Sequence, residues 1–211
     1  MAPQHQLHSI RNEVVHTKVN DGRAIFIRSI RQSDEERMRA GIEQLSNKTR
    51  YLRFFSVRAM PPDAVIERLV DADGHDHIAW GAIHLDDVDD PAVGAVHAIR
   101  IDADSSLGEF SVAILDDYHG VGLGRMLTTV LMINCELEGI CELDIQTLSD
   151  NLPAIRFVKG IGGIMMGSQG GVDNYRLNVR SAIRHTQSNP EIQGIRDIFA
   201  VFGKYLPDRD T

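Results

Sequence analysis

Cysteine, long apolar runs and an excess of basic charge are scarce or missing in this chain of 211 residues. The two cysteines, Cys135 and Cys141, are too few to form a disulfide framework. No run approaches the ~18 apolar residues of a membrane-spanning helix, and residues 1–16 hold no apolar core of a secretory leader. The net charge of −8 argues against a nucleic-acid-binding protein, which would show a basic patch. We therefore expect a cytoplasmic protein that binds neither nucleic acid nor membrane. The negative charge permits a positively charged partner, such as a lysine or a polyamine.

The hydrophobic pattern predicts one domain of mixed α/β class. With 43% hydrophobic and 25% charged residues, the composition is that of an ordinary globular protein. Residues 1–22 are polar, with a short strand near residues 14–19, and residues 181–211 are predicted as a helical tail. The predicted strands between them cover residues 23–30, 77–85, 94–101, 109–115, 141–147, 164–167 and 174–179, and the predicted helices residues 33–45, 63–70, 125–137 and 152–161, with a tail helix over 189–205. This order favours a mixed sheet over a doubly wound one.

Three alternating glycines mark the most informative stretch, Asp117-Tyr118-His119-Gly120-Val121-Gly122-Leu123-Gly124-Arg125. They follow the strand-like run over residues 109–115 and precede the amphipathic helical run over residues 125–137. Glycines let the backbone approach a phosphate closely, and the first N–H groups of the following helix point at it with the positive end of the helix dipole. The stretch therefore predicts a site for a phosphate-bearing cofactor.

The spacing of these glycines excludes the two common nucleotide signatures. A P-loop requires Gly-Lys-Ser/Thr, and no lysine follows Gly124. The dinucleotide fingerprint G-x-G-x-x-G requires a glycine at position 125 or 127, where arginine and leucine stand. The pattern that remains is Q/R-x-x-G-x-G/A, with His119 in the first position and Gly122 and Gly124 in the last two.

This pattern resembles the pyrophosphate loop of the GNAT N-acetyltransferase superfamily, which binds acetyl-CoA. The order of predicted elements is also that of the GNAT fold, a central, mixed and mostly antiparallel twisted sheet flanked by helices. A second segment, Asn151 followed by a helix that contains Ala154, is similar to the later GNAT motif, in which an asparagine precedes a helix on the cofactor side. The resemblance covers roughly residues 23–180 and implies that they form an acetyltransferase domain with acetyl-CoA as co-substrate.

Two further segments resemble one branch of the superfamily, the bacterial Pat-type protein lysine acetyltransferases. Residues 27–34, IRSIRQSD, are similar to the R-P-I-R-x-x-D start of that catalytic domain, and residues 45–55, LSNKTRYLRFF, to its L-S-x-x-S-x-Y-x-R-F-F segment. The resemblance implies transfer of an acetyl group to a protein lysine. Nothing else in the sequence separates this acceptor from a small amine, such as a polyamine or an amino acid.

The resemblance also implies a role for each part of the candidate site. Glu109 lies ten residues before His119, where Pat-type enzymes place their catalytic glutamate, and it stands on the less apolar face of its strand. It is the expected general base, because a lysine ammonium with a pKa of about 10.4 must lose a proton before it attacks. The backbone N–H groups of Val112 and Ile114 are expected to meet the acetyl carbonyl and the pantetheine arm. Further cofactor contacts are expected from Asn151 and from the loop residues His119, Gly120, Val121, Gly122, Leu123, Gly124 and Arg125.

Two departures from the superfamily pattern bear on the mechanism. His119 replaces the usual Gln or Arg, and its backbone N–H is expected to bind phosphate while the charge of its ring depends on pH. Val158 stands seven positions after Asn151, where many members carry a tyrosine general acid, although Pat-type enzymes also lack that tyrosine. These departures leave a non-catalytic acyl-CoA-binding module as an alternative. Glu109 argues against it, because such a module has no need of a base.

The remaining reactive side chains are interpreted as structural. His75 and His77 have no third ligand at a recognisable spacing, so no metal site is expected. The two cysteines are predicted to be packed thiols, and Met165 and Met166 are predicted to lie in the core. The oligomeric state stays open, a homodimer included.

Overall fold

Eight strands and seven α-helices make up the part of the chain that the computed structural model describes, residues 10–54, 60–84, 92–188 and 192–206. The strands are β1 Val14–Lys18, β2 Ala24–Ser29, β3 His77–His84, β4 Ala92–Arg100, β5 Leu107–Ile114, β6 Glu142–Leu148, β7 Ile164–Gln169 and β8 Val172–Asn178. The helices are α1 Glu35–Gln44, α2 Asn47–Phe54, α3 Asp63–Val70, α4 Leu123–Leu137, α5 Leu152–Gly160, α6 Val179–Ser188 and α7 Gln193–Phe202. No helix of these ranges is both long and apolar enough to cross a membrane.

All eight strands join one sheet in the order β1-β2-β3-β4-β5-β6-β8-β7. Every neighbouring pair is antiparallel except β5 and β6, which run parallel. Parallel neighbours need a long crossover connection, and the glycine loop with α4 supplies it. The predicted mixed, mostly antiparallel sheet flanked by helices is therefore confirmed.

Helices cover both faces of the sheet. On one face α4, α6 and α7 enclose the main core, where the rings of Trp80 and Phe202 meet edge to face with their centroids 5.4 Å apart. On the opposite face α1 and α3 cover a smaller core that includes Ile66 and Ala79. Strands β3 and β4 are buried on both faces, which is why their sequences are almost continuously apolar. Strands β5 and β6 keep exposed or half-buried residues on the α3 side, so the sheet is open to a ligand there.

The sequence prediction missed helix α2 and gave no separate bounds for α6, which begins two residues before the predicted helical tail of residues 181–211. Helix α2 carries the polar sequence NKTRYLRF, which has no continuous apolar stripe. Helix α6 follows β8 without a break, although Asn178 accepts a hydrogen bond from the N–H of Ser181 at 3.0 Å and so caps it. Within the described residues, the tail helix predicted over residues 189–205 corresponds to α7, Gln193–Phe202. The proline expected in its first turn, Pro190, lies outside the described residues.

Several local predictions need correction. The helix start expected at Ser33 lies two residues later, because Asp34 uses its carboxylate for the Arg31 N–H at 2.8 Å in a short 3-10 turn over residues 32–34. Met165 and Met166 are 48% and 63% exposed rather than in the core, because β7 is the edge strand of the sheet. Helix α4 begins at residue 123 rather than 125, which places the third glycine of the loop inside its first turn.

Both ends of the described chain pack beside the glycine loop. The turn between β1 and β2 reaches it through the N–H of Asn20, which donates to the Val121 carbonyl at 3.0 Å. Thr17 of β1 donates to a carboxylate oxygen of Asp197 in α7 at 2.5 Å, and α7 in turn packs on α4. The loop is therefore held by the hairpin and by the C-terminal helix, as well as by the strand and helix that it connects.

Candidate active site

The parallel strands β5 and β6 separate before either of them ends. Their paired register stops at Phe110 and Ile145. Strand β5 then continues to Ile114 and β6 to Leu148, and within the described residues β4 and β8 are their only partners along these stretches. A gap roughly 13 Å long, four residues at about 3.3 Å each, therefore opens between two strands of the sheet.

Backbone donors of β5 point into this gap. The N–H of Leu115 donates to the Val93 carbonyl at 3.0 Å, on the side of β4. Backbone groups of successive residues in a strand point to opposite neighbours, so the even-numbered residues of β5 face β6. Beyond the last paired residue, the N–H groups of Val112 and Ile114 thus face the gap, where a ligand carbonyl can accept from them.

The loop between β5 and α4 turns on two glycines in left-handed backbone conformations, with φ of +74° at Gly120 and +90° at Gly122. Gly122 is the N-terminal cap of α4, and the first helical hydrogen bond runs from the Met126 N–H to its carbonyl at 3.1 Å. The N–H groups of residues 123–125 therefore have no partner within the helix. No acidic residue lies in the first turn to neutralise the helix dipole. The loop thus presents free N–H donors and positive potential, as an anion site requires.

His119 holds the loop against the end of β5. Its Nε2 donates to the Ile114 carbonyl at 3.0 Å, and its backbone N–H donates to the Asp116 carbonyl, also at 3.0 Å. The expectation that this N–H binds phosphate does not fit the structure, because the 3-10 turn over residues 116–118 already uses it. The free donors of the loop lie further along the chain.

The start of α5 forms a second wall beside the loop. Asn151 caps α5 by accepting the N–H of Ala154 at 3.3 Å, which leaves its amide NH₂ available to a ligand. Gly124, in the first turn of α4, lets this helix approach, since a Cβ there would lie 3.3 Å from the Phe157 ring. Arg125 donates to the last carbonyl of α5 at 3.1 Å. The first residues of both helices, Leu123 of α4 and Pro153 of α5 among them, line the same cavity.

One cavity of about 1270 Å³ connects the loop, the gap and the sheet face below α2 and α3. Ten of the eleven predicted site residues line it: Glu109, Val112, Ile114, His119, Gly120, Gly122, Leu123, Gly124, Arg125 and Asn151. The exception is Val121, whose side chain packs on the main core. The volume exceeds the ~300–1,000 Å³ of ordinary small-molecule pockets, so the cavity can hold a long ligand.

Two carboxylates, of Glu109 and Asp144, stand next to each other at the inner end of the gap. They are register partners across β5 and β6 and lie on the same face of the sheet. Asp144 is paired with Arg176, whose Nε lies 2.6 Å from its Oδ1. Glu109 is exposed, and no hydrogen bond or ion pair with another described residue holds its carboxylate. Of the two, Glu109 is the one whose lone pairs are free to take a proton.

The segment that begins α2 is tied to the end of β5. The Asp116 carboxylate accepts three hydrogen bonds: from the backbone N–H of Ser46 at 3.1 Å, from the Ser46 hydroxyl at 3.0 Å and from the Thr49 hydroxyl at 2.9 Å. Burial would raise the pKa of Asp116, but these hydrogen bonds outweigh it and hold the pKa below its usual value. The LSNKT sequence thus anchors α2 over the cavity, where Lys48, Thr49 and Leu52 line it. Tyr51 is 42% exposed and lies outside the lining, and Phe55 is outside the described residues.

The other reactive groups lie away from this cavity. His75 contacts Glu138, with 2.7 Å between Nδ1 and Oε2, and the described residues contain no group of three or more His, Cys, Asp or Glu side chains placed to hold a metal. Burial raises the pKa of the Cys135 thiol, so it stays protonated. Cys141, predicted to be packed, is instead exposed.

Sequence reasoning did not find several residues that line the cavity. Asn20 and Ile192 border the glycine loop, Arg68 lies on α3, and Ser111 and Asp144 lie on the two separated strands. For Ser111 the signal was present, since it stands two residues after Glu109 on the same face of β5. The others come from segments distant in sequence, and no local pattern marks them.

Comparison with known proteins assigns the family. The family described as "Acetyltransferase (GNAT) family" matches residues 39–162, more than half of the chain. Acetyltransferase Pat of Mycolicibacterium smegmatis is 26% identical over 155 residues, which cover 74% of this chain and 46% of that protein. An acetyltransferase of Pseudomonas aeruginosa is 33% identical over 109 residues, or 52% of this chain and 58% of that one. The chain thus spans about half the length of these curated relatives.

Solved structures agree on the fold. The GNAT domain of S. lividans PAT superposes with a TM-score of 0.72 at 20% identity, covering 84% of this chain and 99% of that domain. The PaiA N-acetyltransferase of Thermoplasma acidophilum, solved in complex with coenzyme A, superposes with a TM-score of 0.61 at 16% identity, covering 73% of this chain and 98% of that one. With the family match over residues 39–162, these likenesses lead to one conclusion: the chain belongs to the GNAT acetyltransferase family.

Proposed function

We propose that this protein transfers the acetyl group of acetyl-CoA to an amine, with a protein lysine as the acceptor, by direct attack with Glu109 as the general base. The observation that carries the proposal is the gap between β5 and β6. It meets the N–H groups at the start of α4 at one end and the exposed Glu109 carboxylate at the other. We place the catalytic unit at residues 23–180, because the lining of the cavity falls within them apart from Asn20 and Ile192.

The cavity supports one orientation of the cofactor. The pyrophosphate binds at residues 120–125, where the N–H donors are, with Asn151 on the opposite wall. The pantetheine arm then lies along the gap, where Ile114 offers its N–H group to a carbonyl of the arm and Val112 is left to face the acetyl carbonyl. The gap closes at the Phe110 pair, so the acetyl group stops beside Glu109. The coenzyme A complex of the Thermoplasma acidophilum relative supports this choice of ligand.

The residues at the inner end of the gap provide the chemistry of transfer. Glu109 takes a proton from the acceptor ammonium, and the freed nitrogen attacks the acetyl carbon. The N–H of Val112 stabilises the negative charge that develops on the carbonyl oxygen. The C–S bond then breaks, and the thiolate takes the second proton lost by the nitrogen. Because a thiol has a pKa of about 8.5, the thiolate leaves without a tyrosine acid at position 158.

The mouth of the cavity favours a large acceptor. Glu109 is exposed, and the rim beside it carries the apolar side chains of Ile101 and Val65, which are 44% and 38% exposed. Such a rim can contact the surface around a protein lysine. The exposed Glu109 carboxylate in the cavity also argues against a module that only binds acyl-CoA.

The test is a thioester-cleavage assay with acetyl-CoA and a panel of lysine-containing proteins, peptides, polyamines and amino acids. We expect thiol release that depends on a protein acceptor, with the acetyl group found on a lysine Nζ by mass spectrometry. A small amine with a higher kcat/KM than every protein tested would replace the lysine assignment. Tight acetyl-CoA binding without transfer to any acceptor would overturn the enzymatic proposal.

A further inference from the structure

Two buried histidines form a hydrogen-bonded pair on the sheet face that carries Glu109. His77 on β3 and His97 on β4 are 7% and 2% exposed. The Nε2 of His77 lies 3.0 Å from the Nδ1 of His97, and their ring centroids are 5.3 Å apart. Two imidazoles buried in the middle of a sheet need every polar atom satisfied, so the direction of their hydrogen bonds is informative.

The direction of these hydrogen bonds is set by the Nδ1 of His77, on the side of its ring away from His97. The Nδ1 of His77 lies 3.1 Å from the Asp71 carbonyl, and a carbonyl only accepts, so this nitrogen carries a hydrogen. Burial lowers the pKa of His77, and the Arg68 charge lowers it further. Asp71 and Asp73 raise the pKa by less, so the His77 ring is neutral at pH 7. Its Nε2 is then an acceptor, and the Nδ1 of His97 must be the donor. A neutral His97 is therefore left with an unprotonated Nε2.

This nitrogen belongs to a ring that lies beside the active site. His97 is the register partner of Ser111 across β4 and β5, and the next pair on the same face is Ile99 with Glu109. Side chains directly opposite on one face have Cβ atoms about 4.5–5.5 Å apart, so the Ser111 hydroxyl is within reach of the His97 ring. Ser111 and Glu109 both line the cavity and lie roughly 6.8 Å apart along the strand.

We propose that His97 is a positioning residue of the acceptor site: its Nε2 accepts the hydrogen of the Ser111 hydroxyl and so turns the oxygen lone pairs of Ser111 toward the cavity. The inference rests on the proposed acetyl transfer to an amine. A hydroxyl whose hydrogen is engaged can only accept, and a primary ammonium has three N–H donors. Ser111 and Glu109 therefore hold one ammonium between them, each through a hydrogen bond of about 2.8–3.0 Å. The chain from the Asp71 carbonyl to Ser111 selects a cationic primary amine over a hydroxyl acceptor.

The first test reads the two tautomers directly. Long-range ¹H–¹⁵N correlation spectra of the ¹⁵N-labelled protein at pH 7 should show His77 and His97 both neutral and protonated on Nδ1, whereas free histidine favours Nε2. Assignment uses the single variants His77→Gln and His97→Gln. A His97 ring protonated on Nε2, or charged, would overturn the proposal. This result does not depend on activity, so it decides the hydrogen-bond chain even if no amine proves to be a substrate.

The second test is a double-mutant cycle on acceptor kinetics. Ser111→Ala and His97→Leu should each lower kcat/KM for the acceptor by roughly 10–100-fold, the range for a hydrogen bond to a charged group, and acetyl-CoA affinity should stay unchanged. Combined, the two substitutions should cost no more than one alone, because both remove the same interaction. Ser111→Thr keeps the hydroxyl and should recover most of the activity. Multiplicative losses in the double variant would refute the coupling, and Ser111→Ala at wild-type kcat/KM would refute the subsite, whether or not His97→Leu folds.

Discussion

Replacing Glu109 by glutamine removes a proton acceptor and little else. The carboxylate is exposed and has no hydrogen bond or ion pair within the described ranges, so the substitution should change the free energy of unfolding by less than about 0.5 kcal/mol. A general base contributes about 10²–10⁴-fold. We therefore expect kcat on a good acceptor to fall by that factor, or about 2.7–5.4 kcal/mol of barrier. Acetyl-CoA affinity should stay near wild type, because the cofactor contacts lie along the loop and the gap.

Asp144→Asn is the matched control, because this carboxylate lies beside Glu109 on the same sheet face. Its ion pair with Arg176 joins two side chains that are each 32% exposed, which limits the pair to about 0.2–1 kcal/mol after solvent screening. Asp144→Asn should therefore lower the free energy of unfolding by that amount and leave kcat within a few-fold of wild type. Glu109→Gln should therefore lose catalytic rate but not stability, whereas Asp144→Asn should lose stability but little catalytic rate.

For both variants, thiol release from acetyl-CoA measures kcat and urea unfolding measures the free energy of unfolding. The deficit of Glu109→Gln should shrink as the pH rises toward the amine pKa of about 10.4, because free amine then forms without a base. The reasoning fails if Glu109→Gln keeps near-full activity at neutral pH. It also fails if Asp144→Asn loses more rate than Glu109→Gln, since the base would then be Asp144.

Four further variants, one of them a control, test the loop and the fold. Gly122→Asp should abolish acetyl-CoA binding in calorimetry, because it puts a side chain and a negative charge into the anion site. Gly139→Asp is the control, because Gly139 also has a left-handed φ, +76°, but lies in open space after α4; this variant should bind acetyl-CoA normally. If Gly122→Asp folds and still binds acetyl-CoA, the cofactor lies elsewhere. His119→Gln should change affinity less than tenfold, about 1.4 kcal/mol, because an amide can donate to the same carbonyl, and a larger loss would show that the ring matters. Burial would raise the pKa of Asp34, but the hydrogen bonds from Arg28 outweigh burial and depress the pKa. The ionised Asp34 therefore stabilises the fold fully above the unfolded pKa of about 3.9, and this stabilisation is lost as the pH falls through the folded pKa. Asp34→Asn should lower the free energy of unfolding by about 1–3 kcal/mol at pH 7 and match wild type well below pH 4, as read from urea titrations; a difference that stays constant down to pH 2 would contradict this.

Local physics was sufficient to predict the parts of the site that are contiguous in sequence. The glycine pattern of residues 120–124 predicted a strand, a tight turn and a helix, because only glycine adopts the left-handed φ at 120 and 122 without strain. The two-residue period of β5 placed Glu109 on the open face and Phe110 in the core. Helix α4 was predicted within two residues of its start, because its apolar residues recur with the spacing of a helix, and the structure buries eleven of its 15 residues.

Only the tertiary structure decided which distant segments meet at the site. The gap exists because β5 and β6 pair no further than Phe110, and no pattern in either strand marks where their pairing stops. Ser46 reaches Asp116 across 70 positions, and His77 reaches His97 through the register of β3 and β4, where a slip of one residue would move either ring to the other face. Contacts of this kind depend on packing and register, which are properties of the whole sheet, whereas a turn or a helix start depends on the few residues that form it.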